Sequence, residues 1–321
     1  MSSTVHTVLG PVSPDDLGVV ALHEALLSVV PGAEYAYDIE IDRADVFDAI
    51  AAKLRAFQQA GGGTVVDSIG MFHGRDVRLY QALSRATGVH IVASTGMGPE
   101  EQLGGYFLTP QTNPPTPWPA EKFADLFGKE VTEGMVIPRV ERRGQAGLVT
   151  TTVTRQGATP TDESLLRGAA RAASTTGIPM SFRFGQDAAR ELDLVLAEGI
   201  APERVVVGGL DRRDAVAAGA HTAVVDRGAV VALDHVGRED DDLLTDAERA
   251  DLVVELVAAG HAGRIVLSTG ATGAAFGHDG VDLPYETVIS AFTPLLYSRG
   301  VDEVDVRRIV VENPRDLLTV R

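Results

Sequence analysis

Short apolar, β-branched runs alternate with longer segments of helical period along this chain, and that alternation restricts the fold more than any other feature. The runs lie at 18–23, 64–67, 90–94, 147–151, 179–184, 205–208, 229–234 and 265–268. Most are continuously apolar, as strands of a parallel sheet are when helices cover both faces. Between them, 42–60, 76–87, 119–132, 162–175, 186–198, 213–226 and 245–259 carry apolar residues at three- and four-residue spacing, and 285–298 adds a further helix. Several open on a capping signal and close at glycine, as Thr161-Asp162-Glu163 and Thr176-Gly177 do. Strand–helix units repeated in this order predict an α/β fold, a (β/α)8 TIM barrel, with a doubly wound open sheet as the alternative. A barrel of 321 residues is expected to be one domain (1–321), with a short extension at 1–16 and C-terminal helices at 303–321.

Two stretches interrupt the pattern. The segment 109–119 is rich in Pro, Thr and Asn, cannot form a helix interior, and is expected to cross the barrel mouth. The segment 270–280 is rich in Gly and Ala and reads as an irregular loop after the eighth strand, with His278 and Asp279 near its end.

Composition removes several function classes. Without cysteine there are no disulfides and no thiolate metal sites. A net charge of −17 repels phosphate backbones and anionic lipid, so neither nucleic acid nor membrane is an expected partner. No apolar run approaches the ~20 residues of a membrane span. The first residues lack the basic and apolar stretches of a signal peptide, so a cytoplasmic location is expected. The glycine runs at 61–63 and 208–209 fit neither a P-loop nor a dinucleotide fingerprint, and no cofactor is expected.

In a (β/α)8 barrel the C-terminal strand ends and the loops after them form the floor of the active site. The polar residues there include His23, Asp67, Thr150, Arg183, Asp211, Asp234 and His235. Of these His23, Arg183, Asp234 and His235 are the candidate catalytic groups, because imidazole, carboxylate and guanidinium together support proton transfer and charge stabilisation. Asp67, Thr150 and Asp211, with His278, are candidates for substrate binding. Against this stands the plainer possibility that each caps a loop, with Arg183 in an ion pair with Asp67 or Asp234. His73, in the loop after the second strand, is a possible lining residue.

Several stretches carry a family resemblance. Thr7-Val8-Leu9-Gly10-Pro11-Val12 followed by Leu22-His23-Glu24-Ala25, Val65-Val66-Asp67, Ala146-Gly147-Leu148-Val149, Thr176-Gly177-Ile178-Pro179, Leu233-Asp234-His235 and Glu312-Asn313-Pro314 resemble the phosphotriesterase family of the amidohydrolase superfamily, in the same order. The resemblance implies a barrel holding two metal ions, bound by a His-x-His after strand 1, a carboxylated lysine on strand 4, histidines on strands 5 and 6 and an aspartate on strand 8. Carried over one at a time, only His23 is kept. Ala25, Thr150, Arg183, Gly209 and Gly270 stand at the other positions, and the three lysines, Lys53, Lys122 and Lys129, all fall in helical segments. A catalytic zinc typically takes three protein ligands, so no metal site is expected from this set.

Three functions follow, and the first is favoured. The chain is a metal-independent enzyme acting on an anionic or activated small molecule, with ester or lactone hydrolysis, cyclisation and lyase or isomerase proton transfer all open. Alternatively it is an inactive barrel that binds a small molecule, or a metal hydrolase with shifted ligands. The resemblance also implies a homodimer.

Overall fold

The computed structural model describes residues 3–33, 36, 39–103, 108–109, 116–137 and 141–320. Its centre is a parallel sheet of strands β1 (Val19–Val29), β2 (Gly62–Asp67), β3 (His90–Met97), β4 (Leu148–Thr152), β5 (Met180–Arg183), β6 (Val205–Gly208), β7 (Val230–Leu233), β8 (Ile265–Leu267) and β9 (Thr272–Phe276). Neighbours run in the order β8-β7-β6-β5-β4-β3-β2-β1-β9. Because β9 follows β8 in the chain and pairs with β1, the two ends of the sheet meet. Ala25 N–H donates to Ala271 O at 2.9 Å, and His23 N–H to Ser268 Oγ at 3.0 Å, across the seam. The molecule is therefore a (β/α)8 barrel, and the open sheet is excluded.

The ninth strand corrects the expectation of an irregular loop at 270–280. Its small residues permit the backbones to approach closely: a Cβ at Gly273 would sit 2.5 Å from Leu26 O. The first strand also runs on past His23 to Val29, paired residue by residue with β9. Two helices differ from expectation as well. The helix after β4 starts at Pro160, where Thr159 and Asp162 form a capping box and the proline ring presets the first turn. The helix expected over 213–226 divides at Gly219, whose φ of 68° takes it out of the helical region. Residues 110–115, at the heart of the segment expected to cross the mouth, lie outside the described residues.

Counting by two along the strands separates their faces. Val66, Val92, Leu148, Val206, Ala232 and Val266 share one apolar cluster inside the barrel, closed below by Val5, Leu17, Leu317 and Leu318. Two residues beyond them stand Ser68, Ser94, Thr150, Gly208, Asp234 and Ser268. The interior thus changes from apolar to polar within one layer at the carboxyl ends of the strands. On β5 the inward positions are Ser181 and Arg183, paired in register with Thr150 and Thr152 of β4.

Candidate active site

Above that polar layer lies a cavity of about 620 Å³. His23, Thr150, Ser181, Arg183, Asp234 and His278 are among the residues that line it. At its floor His23 Nδ1 lies 2.6 Å from Asp234 Oδ1, and His23 Nε2 lies 2.7 Å from Ser181 Oγ. The three groups come from β1, the end of β7 and β5, and all are buried.

The pair of glycines at the end of β6 gives Asp234 its place. A Cβ on Gly208 would fall 2.5 Å from Asp234 Oδ2, and the Gly209 N–H donates to that same oxygen at 2.8 Å. Burial alone would push the Asp234 carboxyl up. The charge and hydrogen bond of His23 and the nearby guanidinium of Arg183 outweigh it and hold the group far below the usual carboxylate range. Asp234 is a buried anion tied to an imidazole.

Arg183 ends β5 on the cavity side, and its side chain is exposed to the cavity rather than packed. Among the described residues no carboxylate lies within ion-pairing distance of it, so the anticipated salt bridge to Asp67 or Asp234 is not formed. Thr150 stands beside Ser181 on the neighbouring strand. His278 is at the rim, with its Nε2 2.8 Å from Ser28 Oγ. His73 also lines the cavity, with Nε2 buried and without a hydrogen-bond partner among the described residues; burial and the charge of His278 lower its basicity.

The remaining sequence candidates are placed elsewhere. His235 is not among the residues that line the cavity, and its ring is hydrogen-bonded to Asp211 rather than to Asp234. Its Nδ1 lies 2.7 Å from Asp211 Oδ1, while Asp211 Oδ2 accepts from the His235 N–H at 3.0 Å and from Arg249 Nε at 2.7 Å. Sequence neighbours at a strand end point in different directions, and Asp234 and His235 do so here. Asp67 Oδ2 accepts from Leu26 N–H at 2.8 Å and from the Tyr80 hydroxyl at 2.9 Å, on the wall behind the cavity. Burial raises Asp67 to about 6 against those hydrogen bonds. Burial likewise raises Glu24 to about 7, although Thr269 and Ala271 donate to it; the Asp234 charge adds to the rise.

Ser181 is the residue that the sequence reading passed over. The signal was present: a serine between Met180 and Phe182, two positions before Arg183 and so on the same strand face.

The residues do not fit a pair of metal ions. Both ring nitrogens of His23 are engaged, a guanidinium projects into the cavity, and among the described residues no three His, Asp or Glu side chains are grouped to hold a metal. Thr150 cannot carry a carbamate.

A closed barrel with a polar cavity at the carboxyl ends of its strands, floored by imidazole, carboxylate and guanidinium, defines an enzyme-type (β/α)8 protein. Comparison with known proteins gives the family. The phosphotriesterase family model matches residues 3–318, and the chain belongs to that family, as a divergent member with no intact metal cluster among the described residues. It is 27% identical to a phosphotriesterase homology protein of Mycobacterium tuberculosis, over 97% of this chain and 96% of the relative. It is 25% identical to an aryldialkylphosphatase of Saccharolobus solfataricus, over 94% of each. Among solved structures, one described as molecular engineering of organophosphate hydrolysis activity from a weak promiscuous lactonase template superposes with a TM-score of 0.86 at 25% identity, covering 98% of this chain and 99% of the other. No helix among the described residues is long and apolar enough to cross a membrane.

Proposed function

We propose that this chain is a metal-independent hydrolase that opens activated or negatively charged esters and lactones. The observation that carries the reading is a guanidinium with no ion-pair partner among the described residues, sharing one cavity with an imidazole anchored by a buried aspartate. With Nδ1–H donating to Asp234, the neutral ring keeps its lone pair at Nε2. His23 then takes a proton from an attacking O–H and returns one to the departing alcohol, as base and acid in turn. Asp234 stays ionised and stabilises the imidazolium formed between those steps. Arg183 offers a fixed positive charge to the anionic group of the substrate, or to the oxygen that becomes negative as the acyl carbon turns tetrahedral. Thr150 and His278 line the same cavity and are assigned to substrate binding.

One guanidinium stabilises less developing charge than two metal ions do. A strained ring or a good leaving group therefore suits this site better than a stable phosphotriester. The lactonase template of the structural relative supports the same substrate class. Asp211 and His235, locked to Arg249 behind the cavity, are assigned to holding the β6 and β7 ends in place.

The test is turnover of a panel of aryl esters and lactones by chelator-treated protein. The expected result is activity that survives the chelator and falls on Arg183→Met. Activity that disappears with chelator and returns with zinc would mean a metal hydrolase with shifted ligands. A ligand that raises Tm and is recovered unchanged, with no turnover across the panel, would mean a binding protein. Either result overturns the proposal.

A further inference from the structure

In the cavity Asp234 Oδ1, His23 Nδ1, His23 Nε2 and Ser181 Oγ form one continuous line of contacts of 2.6 and 2.7 Å. From this geometry we infer that Ser181 is the nucleophile and that the enzyme works through an acyl ester on its Oγ. The inference rests on the hydrolase reading above and names its attacking atom.

Three observations point the same way. Asp234, gripped by Gly209 N–H, fixes the ring tautomer that presents a lone pair at Nε2, and Ser181 is the hydroxyl that meets it. Ser181 is only 4% exposed but lines the cavity, so what reaches it arrives through the substrate's own space. Arg183, two residues on and on the same face of β5, lines the cavity without a carboxylate partner among the described residues, and so can meet the oxygen of an acyl group attacked at Ser181. The order along the chain is His, Ser, Asp; such triads are defined by roles and geometry, not by order.

The step balances without any further reactant but water. The Ser181 O–H proton passes to His23 Nε2 as the Oγ–C bond forms, and the carbonyl π pair moves onto oxygen beside Arg183. That pair returns as the bond to the alkoxy oxygen breaks, and the alkoxide takes the proton from His23. Water then repeats the sequence: its proton goes to His23, its oxygen bonds the acyl carbon, and Ser181 Oγ leaves and is reprotonated. In a lactone the freed alcohol remains tethered to the acyl group.

The experiment uses the full chain with chelator present, p-nitrophenyl acetate as substrate and a fluorophosphonate as trapping probe. The expected result is one stable phosphonyl adduct per chain, mapped to Ser181, and a p-nitrophenol burst of about one equivalent. Asp234→Asn should slow labelling at least about 1,000-fold, and Ser181→Ala should abolish the adduct and lower kcat/KM at least about 1,000-fold. Labelling of the unaltered protein reports on Ser181 whether or not a variant folds. Turnover without adduct or burst, and within tenfold of normal in Ser181→Ala, overturns the nucleophile and leaves His23-activated water. An adduct mapped elsewhere overturns it too. Neither turnover nor adduct overturns both the nucleophile and the hydrolase reading.

Discussion

Among the described residues the barrel mouth contains two buried Asp–His pairs, and their difference is instructive. In each the carboxylate meets Nδ1 of the ring, at 2.6 Å for Asp234–His23 and 2.7 Å for Asp211–His235. Asp234 has a backbone N–H as its other close partner, and the far nitrogen of its histidine meets a serine hydroxyl in a cavity. Asp211 also accepts from Arg249, whose guanidinium is wholly buried and held by Asp246 and Leu244 O as well. One pair opens onto the cavity; the other is a closed ion network between β6, β7 and the helix that follows them. What an Asp–His pair can do is set by what else its atoms touch.

The largest expected effect separates the pairs by activity. His23→Asn or Asp234→Asn should lower kcat/KM by about 1,000- to 10,000-fold, and His235→Asn by less than tenfold once measured on folded protein. A collapse with His235→Asn would move the proton-transfer role to the second pair. Next comes stability. Arg249→Met strands the Asp211 carboxylate beside His235 and should cost about 3–5 kcal/mol in urea unfolding, while folded molecules keep kcat within a few-fold. A cost under 1 kcal/mol would show that the network contributes little.

The third contrast is in pH dependence. Glu24, raised from the ordinary 4.5 to about 7 by burial, binds its proton more tightly in the folded state. Stability should therefore fall as pH rises from about 4.5 to about 7, by up to about 3 kcal/mol, and Glu24→Gln should flatten that slope. Asp211 has the opposite sign. It is held below its ordinary 3.8 by His235 and Arg249 despite burial, so its contribution is present above that value and is lost as pH falls below it. Urea melts at a series of pH values read both slopes. The smallest effect is steric. Gly208→Ala brings a methyl against Asp234 Oδ2 and should lower kcat/KM about tenfold, with the second pair's pH behaviour unchanged. Unchanged kinetics would show that Asp234 has room to move.

Much of the architecture was legible because it is written locally. The strand cores are runs such as Val205-Val206-Val207, and most helix ends fall within a residue or two of their capping signals. The seam was not legible: Gly273, Ala274 and Ala275 look like a loop because small residues have weak strand preference, and β9 exists because β1 offers a free edge at close range. The candidate site was half legible. Placement at strand ends found His23, Thr150, Arg183, Asp234 and the loop residue His278, all of which line the cavity. It could not say that Asp67, Asp211 and His235 turn their side chains into the wall, because strand-end position does not give side-chain direction. Nor did it count back two residues from Arg183 to Ser181.

The sequence by itself determined the barrel and the loss of the metal ligands, since both depend only on which residue stands at which place in a repeating pattern. The tertiary structure alone decided the partners. His23 is 211 residues from Asp234 and 158 from Ser181. They meet because barrel closure brings the ends of β1, β5 and β7 around one mouth, and because two glycines at the end of β6 leave room for a carboxylate. Contacts of that range are fixed by strand register and tilt, which are properties of the closed sheet and of no single segment.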